Sequence, residues 1–269
     1  MRKIGLIGAG NMGSAILRGM IDAEYVKASQ MVVCDASKKR IEEIAADYPS
    51  LTFCDSSVDL VEQCDMIILA VKPYILGGVL KEIRPALTEG KKLISIAAGW
   101  TVEMLTKAVE GTGAAFLRVM PNTPALVGEG MTALCEDTDF SDDDFAFAKG
   151  IFDAVGRTVV LPERLFDGVI AISGSSPAYV YMMIEAMADA GVKEGLPRAM
   201  AYELAAQAVL GSALMVLSSG EHPAGLKDAV CSPGGTTIEA VIELERKGFR
   251  GAIMDAMDAC ARKSREMSK

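Results

Sequence analysis

Residues 3–13 read KIGLIGAGNMG. The apolar run Ile4 to Ile7 suits a buried strand. Gly8, Gly10 and Gly13 follow at G-x-G-x-x-G spacing, and a helical apolar pattern begins where they end. Strand, glycine turn and helix in that order are the signature of the first unit of a doubly wound, dinucleotide-binding sheet. In such a turn Gly8 allows the tight bend, Gly10 lets a pyrophosphate approach the backbone, and Gly13 lets the helix lie close on the strand. The helix start supplies unpaired N–H groups and partial positive charge to the phosphates, so Gly8, Ala9, Gly10, Asn11, Met12 and Gly13 are candidate cofactor contacts.

Outward from this turn, a second strand from Met31 to Cys34 ends at Asp35. That acid stands about 20 residues beyond the last glycine, where a carboxylate that accepts from the adenosine ribose is expected. Asp35 favours NADH, because its charge repels a 2′-phosphate. Ser37, Lys38 and Lys39 pull the other way as phosphate ligands, or else form a solvated first helical turn with Ser37 as its cap. The residues leave NADH and NADPH both open.

Further strands are expected at Met66–Val71, Lys92–Ile96, Ala115–Val119, Met131–Cys135 and Thr158–Leu161, with helices between them such as Lys39–Tyr48 and Val102–Val109. Strands alternating with helices imply a mostly parallel sheet covered on both faces. Nearly continuous apolar runs such as DMIILAV (65–71) agree, because strands buried on both sides read that way. Ser141 followed by Asp144 marks a helix start there.

After Leu161 and Pro162 the pattern is helical throughout, with candidate helices at Pro177–Lys193, Pro197–Ser218 and Gly251–Met267. Pro177 and Pro233 both suit a first helical turn, where the missing N–H costs nothing. The helical faces carry Met182, Met183, Met187, Met200 and Met215, and they imply both a core and a subunit contact. The expected organisation is a dinucleotide-binding domain over 1–161 and an all-helical substrate-binding and dimerisation domain over 162–269.

One stretch of the helical part carries its own chemistry. LKDAVCSPGGTT (226–237) sets a Ser-Pro-Gly-Gly turn ahead of two hydroxyls and a helix. Gly234 and Gly235 lack side chains, so backbone N–H groups can approach a small anion such as a carboxylate. Thr236 and Thr237 can donate and accept hydrogen bonds.

A length of 269 residues allows one large domain or two ordinary ones. The net charge of −9 argues against nucleic acid as a partner. No apolar run approaches the roughly 20 residues of a membrane span, so no membrane partner is expected. The chain runs straight into a strand without a signal peptide, which suits the cytoplasm. The six cysteines form no C-x-x-C pair and His222 is the sole histidine, so neither a metal site nor a disulfide framework is expected. Reduced, mostly buried thiols fit better, Cys231 among them. His222, beside Pro223, suits a helix cap better than a general acid, and Arg118 suits pairing with an acid or a strand end.

The chain resembles the bacterial pyrroline-5-carboxylate reductase family over essentially its whole length. The resemblance rests on IGAGNMG (7–13), AVKP (70–73), IAAG (96–99), RVMPNTPALVGEGMTAL (118–134), ISGSSPAYVY (172–181), ADAGVKEGLPR (188–198), GEHPAGLKDAVCSPGGTT (220–237) and KGFRGA (247–252), all in order. It implies a Rossmann-type domain followed by a helical domain that forms an interlocked homodimer, with larger rings of dimers in some members. The implied reaction is hydride transfer from NADPH or NADH to 1-pyrroline-5-carboxylate, giving L-proline, the last step of proline biosynthesis.

By motif, the resemblance places Asp35 to Ser37 at the adenosine ribose and Ser57 on the adenine side. Ala70, Val71, Lys72, Pro73, Ala97 and Ala98 line the nicotinamide half, and Asn122 closes on that ring. Ser232, Pro233, Gly234, Gly235 and Thr236 hold the substrate, with Thr237 at the ring nitrogen and Glu163 contributing to the pocket. Ser176 stands where the family usually has glycine, and Ala229 where many members carry asparagine. Trp100 replaces a smaller aliphatic residue, a change of packing rather than of chemistry. Two competing readings are a β-hydroxyacid dehydrogenase, which needs an inward helix lysine that this chain does not offer, and a non-catalytic nucleotide sensor, which has no use for Thr236 and Thr237.

Overall fold

A computed structural model describes residues 2–268. The chain divides into two compact units: residues through Ser175 together with those from Cys260 onward, and Ser176–Ala259.

The first unit is built on eight strands: β1 (Ile4–Ile7), β2 (Met31–Cys34), β3 (Thr52–Phe53), β4 (Met66–Leu69), β5 (Lys92–Ser95), β6 (Ala115–Met120), β7 (Gly130–Cys135) and β8 (Gly156–Leu161). Their order across the sheet is β3-β2-β1-β4-β5-β6-β7-β8. Every pairing is parallel except β6 with β7. The helices between them are α1 (Asn11–Asp22), α2 (Lys38–Asp47), α3 (Ser57–Gln63), α4 (Pro73–Ile83), α5 (Val102–Val109) and α6 (Asp142–Asp153). The expected strands and helices agree with these to within a residue or two. The two-residue edge strand β3 is the exception, too short to carry a pattern.

Side chains alternate across a strand, so β1 sends Ile4 and Leu6 to one face and Ile7 to the other. On the first face they meet Ile16, Leu17 and Met20 of α1 and Ile151 and Phe152 of α6. On the second, Leu60 of α3, Leu76 and Leu80 of α4 and Leu105 of α5 close the layer. All four residues of β1, β2 and β4 are buried, which explains why those strands read as unbroken apolar runs. Ser141 caps α6 by accepting from Asp144 N, as its spacing predicts.

Past β8 come a 3-10 turn (Glu163–Leu165), the short helix α7 (Phe166–Val169) and a π-helical turn (Ile170–Gly174). Phe166 and Ile170 of this segment pack with Met120, Ala133 and Cys135. That packing carries the compact sheet unit to Ser175, beyond the expected boundary at 161/162.

The second unit is helical: α8 (Ser176–Lys193), α9 (Arg198–Ser219), α10 (Pro223–Val230), α11 (Thr236–Arg246) and the first part of α12 (Phe249–Met267). His222 caps α10 through Nδ1, which accepts from Ala224 N at 3.2 Å. Pro177 lies in the first turn of α8, as expected. Pro233 does not begin α11. Gly235 N donates to Ser232 O at 3.0 Å and Gly234 has φ +67°, so Ser232–Gly235 forms a β-turn with proline second and glycine third. The helix starts only at Thr236.

The expectation that no apolar run reaches membrane-span length is also corrected. α9 is long and apolar enough by length and composition, with only 11% of its apolar window buried within the chain. Met182, Met187, Met200, Leu204 and Met215 are all exposed on this unit.

Among the described residues all six cysteines are free, and no cluster of His, Cys, Asp or Glu could hold a metal ion. Burial pushes the Cys34 thiol up, Cys64 to about 12 and Cys135 to about 11, against an ordinary value of 9.0. These thiols stay protonated and inert at neutral pH. Above pH 9.0 the unfolded chain releases the Cys64 proton while the folded chain keeps it until about 12. The unfolded state then binds fewer protons, so stability falls with rising pH through that window. The urea midpoint is therefore expected to drop between pH 9 and 11, and to drop less in Cys64→Ala; an unchanged pH dependence in that variant removes the thiol as the cause.

Candidate active site

Strand order 3-2-1-4-5-6 puts the point where the order of winding reverses between β1 and β4, which stay parallel, and ligands of such sheets bind at the carboxyl ends of the strands beside that point. The glycine turn sits there. Gly8 N donates to Cys34 O and Ala70 N to Ile7 O, each at 2.8 Å, so the ends of β1, β2 and β4 are tied together. Gly8 has φ +96°, and a Cβ on it would lie 2.8 Å from the Ala70 carbonyl. A Cβ on Gly13 would lie 2.1 Å from Gly8 O. Gly10 differs from both: a Cβ there would meet no atom within 4 Å. Two of the glycines thus serve close packing inside the turn, and the third keeps open the space that a pyrophosphate needs. A dinucleotide fits this cradle.

Asp35 closes the turn from the side. Its Oδ2 accepts from Ala9 N at 2.6 Å and its Oδ1 from Ser37 N at 2.7 Å. Ser37 caps α2, accepting from Arg40 N. Ser57 is buried at the start of α3 with its hydroxyl 4.0 Å from Cys34 Sγ, and the cap of that helix is the half-buried Ser56. On the other side of the switch point, Ala70 to Pro73 run from the end of β4 into α4, and Ala97 and Ala98 follow β5. Asn122 follows β6, and both ends of its amide are used by the protein. Nδ2 donates to Ser173 O at 3.0 Å and Oδ1 accepts from Met131 N at 2.8 Å. The side chain braces the π-helical turn against β7.

Glu163 has a structural task as well. Its Oε1 accepts from Arg118 Nη1 and from Val102 N, each at 2.6 Å, so it neutralises a buried guanidinium and caps the start of α5. Arg118 also stacks over Phe166, 4.6 Å from the ring centroid. The sequence expectation that Arg118 pairs with an acid holds, and its partner is Glu163.

The substrate candidates Ser232, Pro233, Gly234, Gly235, Thr236 and Thr237 belong to the helical unit. α11 begins behind Gly235 with no side-chain cap, so its first N–H groups have no partner from a capping side chain. Among the described residues neither the Thr236 nor the Thr237 hydroxyl has a hydrogen bond within the chain. The Gly235 N–H is spent inside the β-turn, so the donors on offer come from the helix start itself.

Two family models match the chain: "Pyrroline-5-carboxylate reductase dimerisation" over residues 163–267 and "NADP oxidoreductase coenzyme F420-dependent" over residues 3–99. The pyrroline-5-carboxylate reductase of Escherichia coli K12 is 47% identical over 268 residues, covering 100% of this chain and 99% of that protein. The chain belongs to the pyrroline-5-carboxylate reductase family. The Arabidopsis thaliana reductase is 40% identical over 99% of this chain and 96% of its own length. A Plasmodium falciparum pyrroline carboxylate reductase, solved with NADP bound, superposes with a TM-score of 0.90 at 38% identity, covering 100% of this chain and 98% of that one. The exposed methionines and the open apolar surface of α9 all lie within the matched dimerisation region.

Three further side-chain contacts around the site are ones that sequence reasoning did not foresee. Ser14 Oγ donates to Ala9 O at 2.6 Å and pins the glycine turn from inside. Trp100 Nε1 donates to Pro73 O at 3.0 Å, which ties the AAG segment to the AVKP segment. Arg40 reaches Asn11 Oδ1 at 3.1 Å. None of the three belongs to a spaced motif, and each partner is remote in sequence or lies in backbone. Only the folded chain shows them.

Proposed function

We propose that the residues described above make this chain a working 1-pyrroline-5-carboxylate reductase, producing L-proline with NADPH or NADH. Residues 1–161 serve the dinucleotide, and 162–269 serve the substrate and the dimer. Bound reduced nicotinamide supplies the hydride that adds to C5 of the cyclic imine. The glycine turn holds the pyrophosphate at the start of α1, Asp35 with Ser37 meets the ribose, and Ser57 supports the adenine side. Ala70, Val71, Lys72, Pro73, Ala97, Ala98 and Asn122 shape the nicotinamide half. Ser232 to Thr236 receive the substrate carboxylate at the uncapped start of α11, with Glu163 as a further wall of the pocket. Thr237 holds the ring nitrogen, which must be protonated for C5 to accept hydride and which keeps its proton in the product amine. The observation that carries this reading is the pair of uncapped, glycine-preceded helix starts, α1 and α11, one suited to a diphosphate and the other to a small acid.

The net charge of −9 disfavours nucleic acid as a partner, and a cytoplasmic protein assembled as dimers, with rings of dimers as the larger form, is the accompanying proposal. The test is direct: purified protein, the cyclic imine and either cofactor, following loss of reduced-nicotinamide absorbance and appearance of proline. No turnover with either cofactor sinks the reading. Within it, Asp35→Ala is expected to lower kcat/KM for NADH about 10-fold more than for NADPH. Loosening of the Ala9 and Ser37 amides is common to both cofactors, whereas loss of the ribose acceptor and of the negative charge is not. A larger loss with NADPH refutes the ribose assignment.

A further inference from the structure

Two opposite charges are fixed to the glycine turn at neighbouring points. The Asp35 carboxylate is held by Ala9 N and Ser37 N, and the Arg40 guanidinium by Asn11 Oδ1. Ala9 and Asn11 flank Gly10, the open point of the turn. Both Asp35 oxygens are engaged by backbone donors that do not move with a side chain, so its charge cannot swing away from an incoming adenosine. Arg40 is held differently: its partner is a neutral side-chain amide on the surface, an acceptor that a phosphate outcompetes.

The sequence around Arg40 has a cost that packing does not explain. Lys38, Lys39 and Arg40 fill the first turn of α2, where the helix dipole disfavours cations, and no acid accompanies them there. Lys39 is paired with Glu43 at 3.9 Å, a partner further down the same helix. Arg40 turns back instead to the glycine turn. A charge placed against a local rule and aimed at a cofactor cradle marks a functional position.

We propose that Arg40 is the residue by which this chain accepts NADPH: it exchanges Asn11 for the 2′-phosphate and offsets the repulsion from Asp35. Asp35 alone would select NADH, and Asp35 with Arg40 accepts both cofactors. A planar guanidinium binds phosphate oxygens in pairs, which a lysine cannot reproduce. The proposal deepens the reading of the cofactor site given above and adds the origin of its cofactor choice.

The test is binding, without substrate. Calorimetric titration of the intact protein with NADP⁺ and with NAD⁺ is compared with that of Arg40→Gln and Arg40→Lys. Arg40→Gln is expected to weaken NADP⁺ about 10- to 100-fold, the range of a lost charge-assisted contact, and to leave NAD⁺ within about 3-fold. Arg40→Lys is expected to fall between. The NADP⁺ loss should shrink as salt rises, because the contact is an exposed ion pair. Equal loss for both dinucleotides, or no loss for either, overturns the proposal. Because no imine is present, a failure of the reductase reading appears separately, as absent proline formation by a protein that still discriminates the two dinucleotides.

Discussion

Gly10→Ala is expected to fold normally and to lose its dinucleotide. Gly10 has φ −64° and ψ −173°, a conformation any residue adopts, and a Cβ there meets nothing within 4 Å. Alanine is a poorer helix cap than glycine, but it reduces the freedom of the unfolded chain, and the two effects roughly offset. The melting temperature should stay within about 3 °C. The added methyl, however, stands where the pyrophosphate must approach the backbone. Displacing it from two N–H contacts, each worth about 1.5–3 kcal/mol to a charged acceptor, weakens NADPH and NADH on the order of 100-fold or more. Gly13→Ala is the control with the opposite pattern. Its Cβ would lie 2.1 Å from Gly8 O, so the turn must open and stability falls together with binding. Thermal melts and dinucleotide titrations on both variants separate the two tasks. Normal binding by Gly10→Ala removes the turn from the pyrophosphate site.

The same contrast shows what sequence can and cannot state about this chain. G-x-G-x-x-G spacing gives three glycines one collective reading, and the strand before and helix after make it specific. It does not say that Gly8 and Gly13 pack against backbone while Gly10 faces open space, because that depends on where β4 brings Ala70. The sheet was legible for a related reason: strands buried on both faces are apolar throughout, and periodicity has nothing to compete with. β3 escaped because two residues hold no period. Pro233 was misplaced by local reasoning, since a proline suits both a helix start and the second position of a β-turn. The Gly235 to Ser232 hydrogen bond decides for the turn.

Glu163 shows the limit on the site side. The resemblance places Glu163 at the substrate pocket, and its ion pair with Arg118, 45 residues earlier and 2.6 Å away, is a further task that no spacing announces. Asn122 is similar, with an amide that also braces Ser173 and Met131. Side chains that act on the fold through distant backbone leave no spacing to read. The Thr236 and Thr237 pair is legible as a candidate because two hydroxyls follow a Gly-Gly turn at a helix start.

Thr237→Ala is the second large expected effect, and its physical background is favourable for a clean result. The hydroxyl has no hydrogen bond within the chain among the described residues, so its removal strands no buried partner. Alanine in the first turn of α11 is a better helix former than threonine, so the helix start persists. What remains is the contribution at the substrate. A positioned hydrogen bond to the ring nitrogen, with partial loss of proton handling, is worth ~10- to 1,000-fold in kcat/KM. Threonine has no useful acidity near neutrality, so it orients or relays a proton that comes from elsewhere. The pH dependence of the surviving activity should therefore keep its shape while its height falls, and Thr237→Ser should recover most of the loss. Dinucleotide binding should be unchanged, since the proposed cofactor contacts all come from the sheet unit. Near-normal turnover in Thr237→Ala would strike Thr237 from the mechanism. A collapse of cofactor binding in the same variant would mean that the start of α11 serves the dinucleotide rather than the imine.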